Sequence, residues 1–463
     1  MRIIQLREQL AEGSPLGPDA SSTILPYLAE GQELAFTVRR GCDLQALCLS
    51  LRRVGSEVRA GGSYFVGLDW IARGELAVQV LPKMNDGFEV DYLRMLHEAL
   101  SDTENFDHLQ DLITIRLDQP LILIDQQHDW LSLFLITVFI HLLQKIVRKG
   151  LKRSFYLVEE NLHNKVKGRI SVGRTVRQQL MKGHVTDNVC QYQVYDVDTP
   201  ENRVLKKALR FCMKQLESYK KAFDTRVVLD RARYCLPYFE RVSDDVSIKA
   251  IQSCKCNPVY KDYTQAVDYA QLLLKRFGYN ISSLGSAQVA TPPFWIDMSK
   301  LFELYVFQRL REVFTGRNEV RYHLKANYQE LDYLLQPRSW AEPYVIDAKY
   351  KPRYRGGSIS KEDAREVAGY ARLSKIYQLL GLNEETALPI KCLIIYPDQH
   401  QDEHFGFSAA CEPTFERFPN YVRIYKLGIK LPVIRPGGCL LSAHRERKLR
   451  LYCDSDLLSG ESR

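Results

Sequence analysis

An aspartate and a lysine two residues apart follow a short apolar run in the segment YVIDAKYK, residues 344–351. On a β-strand, side chains at positions i and i+2 project from the same face, so a strand over 344–350 places Asp347 and Lys349 side by side. A carboxylate and an ammonium on one face form either an exposed ion pair, which contributes little to stability, or part of a metal-dependent active site.

Two further carboxylates could complete such a site. Asp332 lies in ELDYLL, fifteen residues before Asp347. The segment between them, QPRSWAEP, is polar and contains two prolines, which is typical of a loop that joins antiparallel strands. Glu303 lies among apolar residues in the helical segment LFELYVF. We therefore predict a hairpin that brings two aspartates together, with a packed helix that adds a third carboxylate.

These residue types fit the hydrolysis of a phosphodiester. A Mg²⁺ ion held by hard oxygen ligands withdraws charge from an anionic phosphate. Asp332 and Asp347 could hold the ion, and Lys349 could activate water or stabilise negative charge. Glu303 would support the site. No single residue favours a metal-dependent active site over an exposed ion pair. The order of the surrounding helices and strands favours the active site.

The elements around these residues follow the order helix, strand, strand, strand, helix, strand. The predicted segments are a helix in WIDMSKLFELYVFQRLREVF, strands at 320–328, 330–336 and 344–350, a helix at 361–380 and a strand at 390–396. A further strand is expected at 421–431. A stretch rich in Gly, Ser and Pro at 278–294 predicts a boundary before this region.

The remainder of the chain suggests two more regions. Two β-prone runs at 63–71 and 75–84 are separated by a hairpin-like connection, and residues 88–284 are mainly helical in pattern. We predict a multidomain α+β protein with three domains. They are a β-rich N-terminal domain at 1–87 that is a candidate for partner binding, a mainly helical middle region at 88–284, and a domain at 285–463 whose mixed central sheet is flanked by helices.

Composition places few limits on function. The 463 residues are 45% hydrophobic with a net charge of +8, which is ordinary for a well-cored chain and permits an anionic partner without requiring one. Eleven cysteines are scattered, and Cys254-x-Cys256 lacks a second pair at zinc spacing. The N-terminus has no apolar signal region. We expect a cytoplasmic protein with reduced thiols.

One apolar segment resembles a membrane span. It covers residues 130–147, but its apolar part runs only from Leu131 to Leu143. A span needs about 20 apolar residues, so we predict a buried core helix instead.

Basic residues follow the proposed catalytic strand. Lys351, Arg353 and Arg355 alternate with tyrosines in KYKPRYRGG, and we treat them as candidates for DNA binding; the alternative is an exposed turn. A second basic stretch could follow a phosphate backbone, face an acidic partner or form a solvated surface. Its residues are Lys165, Lys167, Arg169, Arg174 and Arg177. His323, on a neighbouring strand, is predicted to be a core or surface histidine rather than a metal ligand.

The predicted core resembles the PD-(D/E)XK nuclease fold, which has the same order of elements. Several motifs are also similar to the McrC subunit of McrBC-type 5-methylcytosine restriction systems. They are VQVLPKM, KGRISVGRTV, DTPENRVLKKAL, LFELYVFQRL, LDYLL, VIDAKYK, EDAREVAGYARL and IIYP, and they extend from about residue 60 to 430. DTPENRVLKKAL and the pair formed by LDYLL and VIDAKYK are the most specific of them.

This resemblance implies a Mg²⁺-dependent DNA endonuclease subunit. In that family the subunit docks on an AAA+ ring, usually a GTPase, stimulates its nucleotide hydrolysis and cuts double-stranded DNA that the partner recognises as methylated. By position, Asp332 and Asp347 match the metal-binding acids, Lys349 the catalytic lysine and Glu303 the helix acid. The alternative is a catalytically inactive adaptor that activates the AAA+ partner.

The resemblance also assigns a supporting helix after the catalytic strand. In EDAREVAGYARL, Asp363 and Tyr370 keep their places. The family often has a glutamine at the position of Glu366, so this sequence departs from the family pattern in this helix.

Overall fold

The computed structural model describes residues 1–433 apart from several short segments, which are 41–43, 84–87, 100–111, 117, 126–129, 220–224, 248–250, 252–253, 255–260, 283–287, 327–328, 352–359, 386–387 and 402–404. The chain forms two compact units. The described residues of one unit lie within Met1–Trp130 and 288–433, and those of the other lie within Leu131–Ser282. The three domains at 1–87, 88–284 and 285–463 remain a prediction.

Strands and helices both occur throughout the described residues. The strands are β1 (Arg2–Arg7), β2 (Ser14–Pro15), β3 (Glu33–Arg40), β4 (Leu44–Val54), β5 (Glu57–Gly62), β6 (Phe65–Ala72), β7 (Leu76–Leu81), β8 (Ile113–Ile115), β9 (Ile122–Asp125), β10 (Ser154–His163), β11 (Arg169–Ile170), β12 (Asp187–Asp196), β13 (Gln288–Thr291), β14 (Phe294–Asp297), β15 (Val320–Ala326), β16 (Gln329–Leu335), β17 (Tyr344–Ala348), β18 (Lys391–Pro397), β19 (Glu416–Arg417) and β20 (Ile424–Ile429). The helices are α1 (Pro18–Ile24), α2 (Tyr92–Ala99), α3 (Trp130–Lys149), α4 (Val172–Gln178), α5 (Pro200–Tyr219), α6 (Arg226–Cys235), α7 (Lys261–Ser282), α8 (Met298–Val313), α9 (Lys361–Tyr370) and α10 (Ser374–Leu380). The mixed α+β character is therefore as predicted.

The N-terminal part of the first unit is β-rich, as the sequence indicates. It contains a four-stranded sheet in the order β2-β5-β4-β3 and a five-stranded sheet in the order β1-β7-β6-β14-β8. The predicted strands at 63–71 and 75–84 correspond to β6 and β7. Strand β14 comes from much later in the chain and pairs with β6. Gly67 permits this pairing, because a Cβ atom there would lie 2.1 Å from the carbonyl oxygen of Phe294.

The second unit is built around helix α3. Several of its apolar side chains, among them Leu135, Phe139 and Leu143, are fully buried, which confirms the predicted core helix. No helix in the described part of the chain has the length and hydrophobicity needed to cross a membrane. The described cysteines are free thiols.

This unit also contains an antiparallel sheet that the sequence analysis did not predict. The sheet has the order β10-β12-β11. Phe155 and Leu157 on β10 are exposed, as are its acidic neighbours Glu159 and Glu160. Because apolar and polar side chains do not alternate between a buried and an exposed face here, the period-2 signal of a half-buried strand is missing.

The remainder of the first unit contains a six-stranded mixed sheet in the order β15-β16-β17-β18-β20-β19. Strands β15, β16 and β17 are antiparallel neighbours, whereas β17, β18 and β20 run parallel. Helix α8 precedes this sheet. The Asp297 carboxylate caps the helix by accepting the backbone N–H groups of Ser299 and Lys300 at 3.1 and 3.3 Å.

The predicted order of elements in this region is confirmed, with one difference. The expected single helix at 361–380 is two helices, α9 and α10, separated at 371–373. Gly369 lies in the last turn of α9, where its conformational freedom weakens the helix.

Helices pack against the sheet and fix the strands that carry the aspartates. Val345 of β17 packs in a buried cluster with Val367 of α9 and Ile376 of α10. The ring of Phe307 in α8 stacks on Tyr322 of β15 and Tyr333 of β16, at centroid distances of 4.7 and 6.3 Å. The predicted mixed sheet with flanking helices is therefore present.

Candidate active site

The β16–β17 hairpin places Asp332 and Asp347 together. Tyr333 faces Ile346 and Leu334 faces Val345 in the antiparallel register, so the next facing pair is Asp332 and Asp347. The backbone N–H of Ala348 donates to Asp332 Oδ2 at 2.8 Å, which ties one aspartate to the strand that carries the other. The two carboxylates meet as the sequence predicts.

Burial makes negative charge costly for both aspartates. Asp347 is 1% exposed, and burial followed by the Asp332 charge raises its pKa well above the usual range. Burial, and then the charge of Glu303, raises the pKa of Asp332 to about 7, although the N–H of Ala348 acts in the opposite direction. A cation between these groups would relieve their repulsion and return them to the ionised form.

Lys349 supplies one cation at this position. Its Nζ lies 3.0 Å from Asp347 Oδ2 and 2.8 Å from Glu366 Oε2. Burial by itself lowers the pKa of Lys349, but the charges of Asp347 and Glu366 outweigh burial and the net pKa is raised. Lys349 therefore stays protonated at neutral pH. In this arrangement it can neutralise negative charge and orient a polar group, but it cannot accept a proton.

The predicted supporting helix, α9, contacts the catalytic strand. Tyr370 donates its hydroxyl to Glu366 Oε1 at 2.8 Å. Burial raises the pKa of Glu366, yet the hydrogen bond from Lys349, with the one from Tyr370, outweighs burial and lowers the net pKa. Glu366 is thus an ionised partner that helps to position Lys349.

Of the three DNA-binding candidates, only Lys351 lies within the described residues. Lys351 Nζ lies 2.8 Å from Oδ1 of Asp363, which is buried on α9. Lys351 therefore ties the end of β17 to the supporting helix. Arg353 and Arg355 lie outside the described residues.

Glu303 approaches the aspartates from helix α8. Burial, and then the charge of Asp347, raises its pKa to about 7. The hydroxyl of Tyr333 donates to the backbone oxygen of Glu303 at 2.6 Å, which fixes the helix against β16. The structure therefore brings all four predicted site residues into one electrostatically coupled cluster.

His323 belongs to this cluster, although the sequence analysis treated it as a core or surface histidine. Its Nε2 lies 3.5 Å from Glu303 Oε2 and its Nδ1 lies 3.0 Å from Glu330 Oε1. Its backbone has a φ of +50°, which is uncommon for a residue with a side chain. The β15–β16 pairing joins Tyr322 to Tyr333 and resumes at Leu324, omitting His323. No feature of the sequence signals this local backbone.

The site offers Mg²⁺ a small set of protein ligands. Within the described residues, no group of three His, Cys, Asp or Glu side chains is arranged to hold a metal ion. Asp332 and Asp347 provide a two-carboxylate set. Asp347 Oδ2 is buried beside Lys349 Nζ but accepts no hydrogen bond of good geometry in the described structure. Mg²⁺ commonly uses one or two carboxylates, with waters and substrate phosphates as further ligands, so the aspartate pair fits this ion.

The second basic stretch lies in the other unit, on and around β11 and α4. Lys167 Nζ lies 4.0 Å from the ring centre of Tyr192, and Arg174 forms an ion pair with Glu159. Two of these basic groups therefore have partners within their own unit. The role of this stretch remains a prediction.

Comparison with known proteins identifies one family. Residues 65–397 match the model of the family described as McrBC 5-methylcytosine restriction system component. The matched segment covers most of the chain and includes Glu303, Asp332, Asp347, Lys349 and the whole of α9. None of the curated proteins compared matches the chain.

Two solved assemblies from Thermococcus gammatolerans are similar at low identity. One is a refined half-complex from a tetradecameric assembly of McrB AAA+ hexamers with bound McrC; it is 13% identical, with 97% of this chain and 100% of that chain covered, at a TM-score of 0.37. The other is the McrBC complex determined by cryo-EM; it is also 13% identical, with 67% and 87% covered, at a TM-score of 0.29. At these TM-scores neither bears on the details of the site.

Proposed function

Because the chain belongs to the family of McrBC 5-methylcytosine restriction system components, we propose that it is the McrC-type DNA endonuclease subunit of a modification-dependent restriction complex. Its C-terminal region would then be a nuclease of the PD-(D/E)XK type that hydrolyses DNA phosphodiesters with Mg²⁺. Such a complex would act in the cytoplasm.

One observation supports this proposal above the others. Two aspartates, of which Asp347 is fully buried, face each other across a hairpin, and an ammonium group lies 3.0 Å from Asp347. A structural ion pair needs only one carboxylate for each lysine. A second carboxylate with a raised pKa, that of Asp332, adds repulsion that folding alone does not require. Grouping the charges in this way is useful if a divalent cation and a phosphate bind there.

Each residue would have a separate role. Asp332 and Asp347 would hold Mg²⁺, which when bound withdraws charge from the scissile phosphate and lowers the pKa of water. Lys349 would neutralise the negative charge that develops on the phosphate in the transition state. Glu303, whose pKa is raised to about 7, could accept a proton from the attacking water near neutral pH.

The proposal includes two partners. The first is a McrB-like AAA+ GTPase ring, on which the chain would dock and whose nucleotide hydrolysis it would stimulate. The second is double-stranded DNA, whose methylation the ring would recognise. Family membership and the sequence motifs support both partners.

The decisive experiment replaces Asp347 with Asn or Ala. We expect Mg²⁺-dependent DNA cleavage in the presence of the AAA+ partner to fall by at least about 100-fold, because the buried carboxylate is lost. Circular dichroism and thermal unfolding should remain close to those of the wild type. Asp245→Asn, at an exposed aspartate in the other unit, is the matched control and should cut normally.

Two results would contradict the proposal. Cleavage by Asp347→Ala at the wild-type rate would remove this aspartate from the mechanism. If the wild-type chain stimulated nucleotide turnover by its partner but cut no DNA with any divalent metal, the adaptor function would replace the nuclease function.

A further inference from the structure

A polar cavity of about 370 Å³ lies where β15 begins and where the loop between β16 and β17 passes. Arg317, Arg321 and Arg338 contribute to its lining, together with Glu319, Trp340 and Glu342. None of these residues belongs to the catalytic cluster. The cavity is therefore a separate feature of the same sheet.

The three arginines are not neutralised within the described structure. None of their guanidinium groups has an ion-pair partner among the described residues, and Arg317 and Arg338 are exposed. Two acids also line the cavity, so the net charge depends on what those acids contact.

Both acids have other partners. Glu319 accepts the backbone N–H of Gly316 at 2.8 Å and that of Arg338 at 3.3 Å. Glu342 Oε2 lies 2.8 Å from Lys391 Nζ, and its other oxygen contacts Arg423. Burial raises the pKa of Glu342, but the hydrogen bonds from Lys391 and Arg423 outweigh burial and lower it. Glu342 is thus ionised, and both acids are engaged by other partners, which leaves the arginines to attract an anion.

The chemistry of the lining favours a phosphate over a base or an apolar ligand. Guanidinium groups bind phosphate oxygens through paired N–H donors. The aromatic residue, Trp340, is 7% exposed and donates its indole N–H to the backbone oxygen of Ser408 at 3.1 Å. Its ring also stacks on Phe407, so it offers little free surface for stacking a nucleobase.

The position of the cavity relates it to the aspartates. Gln336, in its lining, comes directly after β16 and four residues after Asp332. At about 3.3 Å per residue, this separation is about 13 Å along the strand. DNA carries one phosphate charge per about 3.4 Å of axis on each strand. A duplex at the catalytic acids could therefore present a second phosphate, a few nucleotides away, at this distance.

We propose that this arginine-lined cavity binds a backbone phosphate of DNA, several nucleotides from the phosphodiester that is cut. The assignment rests on the proposed function, since it assumes that DNA occupies the catalytic cluster. The cavity would set the position of the duplex and would carry no base specificity.

The test uses the full-length chain with Arg317, Arg321 and Arg338 all replaced by Ala. Binding to a short DNA duplex is measured without divalent metal at several salt concentrations. We expect the affinity to fall by about tenfold or more, and the slope of log affinity against log salt to decrease by about 1 for each arginine in contact. Arg59→Ala, at an exposed arginine on β5, is the matched control and should bind as the wild type does.

Folding and ligand source are checked separately. Thermal unfolding tests whether the triple variant is folded, and Arg338→Gln provides a milder variant at an exposed position. Inorganic phosphate should compete with DNA for binding to the wild type. It should not raise the melting temperature of the triple variant. If phosphate raises the melting temperature through these arginines while DNA binding is unaffected by their loss, the DNA assignment is wrong.

The two proposals can fail separately. If the wild type cuts DNA with its partner while the arginine variants bind and cut as Arg59→Ala does at every salt concentration, the cavity has no role and the nuclease function stands. If the wild type binds DNA through the arginines but never cuts it, the nuclease function fails, and the binding of a DNA phosphate by the cavity stands without a relation to a cut site.

Discussion

At the scale of single residues, the state of Lys349 is defined by two carboxylates. Asp347 lies on β17, which ends directly before Lys349, and Glu366 comes from helix α9. Each has a carboxylate oxygen within 3.0 Å of Lys349 Nζ. Together they raise the pKa of Lys349, although burial opposes them. The lysine is therefore held as a cation, and proton removal from water would fall to another group, for which Glu303 has a suitable pKa of about 7.

Lys349→Met should remove this cation while retaining most of the side-chain volume. We expect DNA cleavage to fall by about 100-fold or more, as for other groups that stabilise transition-state charge. The single-turnover rate with the AAA+ partner is the appropriate measurement. Retention of the wild-type rate would mean that the lysine has only a structural role.

Glu366→Gln should have a much smaller effect. The amide oxygen of Gln can still accept a hydrogen bond from Lys349. We expect a change in cleavage rate of less than about tenfold, comparable to one hydrogen bond. A loss as large as that of Lys349→Met would indicate that the Glu366 charge itself takes part in the reaction.

At the scale of secondary structure, the irregular pairing of β15 with β16 occurs beside the site. His323 has a left-handed backbone opposite Asp332, and its ring contacts Glu303 and Glu330. Residues in sparsely populated backbone regions persist only where their surroundings enforce them, and they are enriched at functional sites. The irregularity turns the imidazole toward the helix acid, so we regard His323 as a positioning residue for Glu303.

His323→Asn distinguishes the effect of the imidazole ring from that of the backbone conformation. Asn removes the ring but tolerates the left-handed region. We expect this variant to fold normally and to lose about tenfold in cleavage rate, as for residues that orient a catalytic group. The pH–rate profile should shift, because Glu303 loses a neighbour; a merely structural role would leave the profile unchanged.

His323→Val is the complementary control. A β-branched residue is strained at a φ of +50°, so this variant should lower the free energy of unfolding as well as the cleavage rate. Equal stability of the Asn and Val variants would show that the backbone at this position is not strained.

At the scale of the first compact unit, one buried contact joins the start of the chain to the catalytic strand. Glu8, directly after β1, accepts a hydrogen bond from the hydroxyl of Tyr350 at 2.8 Å. It also accepts the backbone N–H of Lys83 at 2.9 Å. Tyr350 follows Lys349 immediately, so the N-terminal sheet and the end of β17 are connected by a single carboxyl group.

This carboxyl makes stability depend on pH. Burial raises the pKa of Glu8 from 4.5 to about 7, although the hydrogen bonds from Lys83 and Tyr350 oppose the shift. A carboxyl whose pKa is higher in the folded state than in the unfolded state favours folding below about pH 4.5, and this contribution is lost as the pH rises through about 7.

Glu8→Gln should remove this dependence, because Gln stays neutral throughout. We expect the free energy of unfolding of the variant to rise relative to that of the wild type by about 3 kcal/mol between about pH 4 and pH 8. Urea unfolding at each pH measures the difference, in which the other titrating groups cancel. A difference that is constant with pH would mean that the pKa of Glu8 is the same in the folded and unfolded states.

The sequence by itself determined the features that depend on residues close together along the chain. The two-residue period of a strand put Asp347 and Lys349 on one face, and the proline-containing loop predicted the hairpin that brings Asp332 to them. Helix α3 was distinguished from a membrane span by the length of its apolar run. The exposed sheet of β10, β11 and β12 was not found, since strands without a buried face leave no periodic signal.

Tertiary structure alone decided which distant groups meet. Four features join segments that are distant along the chain, and sequence separation does not predict that such segments meet. They are the contact of Glu366 with Lys349, the contact of the His323 ring with Glu303, the arginines around one cavity and the hydrogen bond from Tyr350 to Glu8. These contacts depend on which strands pair and how helices pack, and so do the burial and charge that set each pKa. Local sequence periodicity therefore identified the candidate acids and the lysine, whereas the folded chain defined their electrostatic environment.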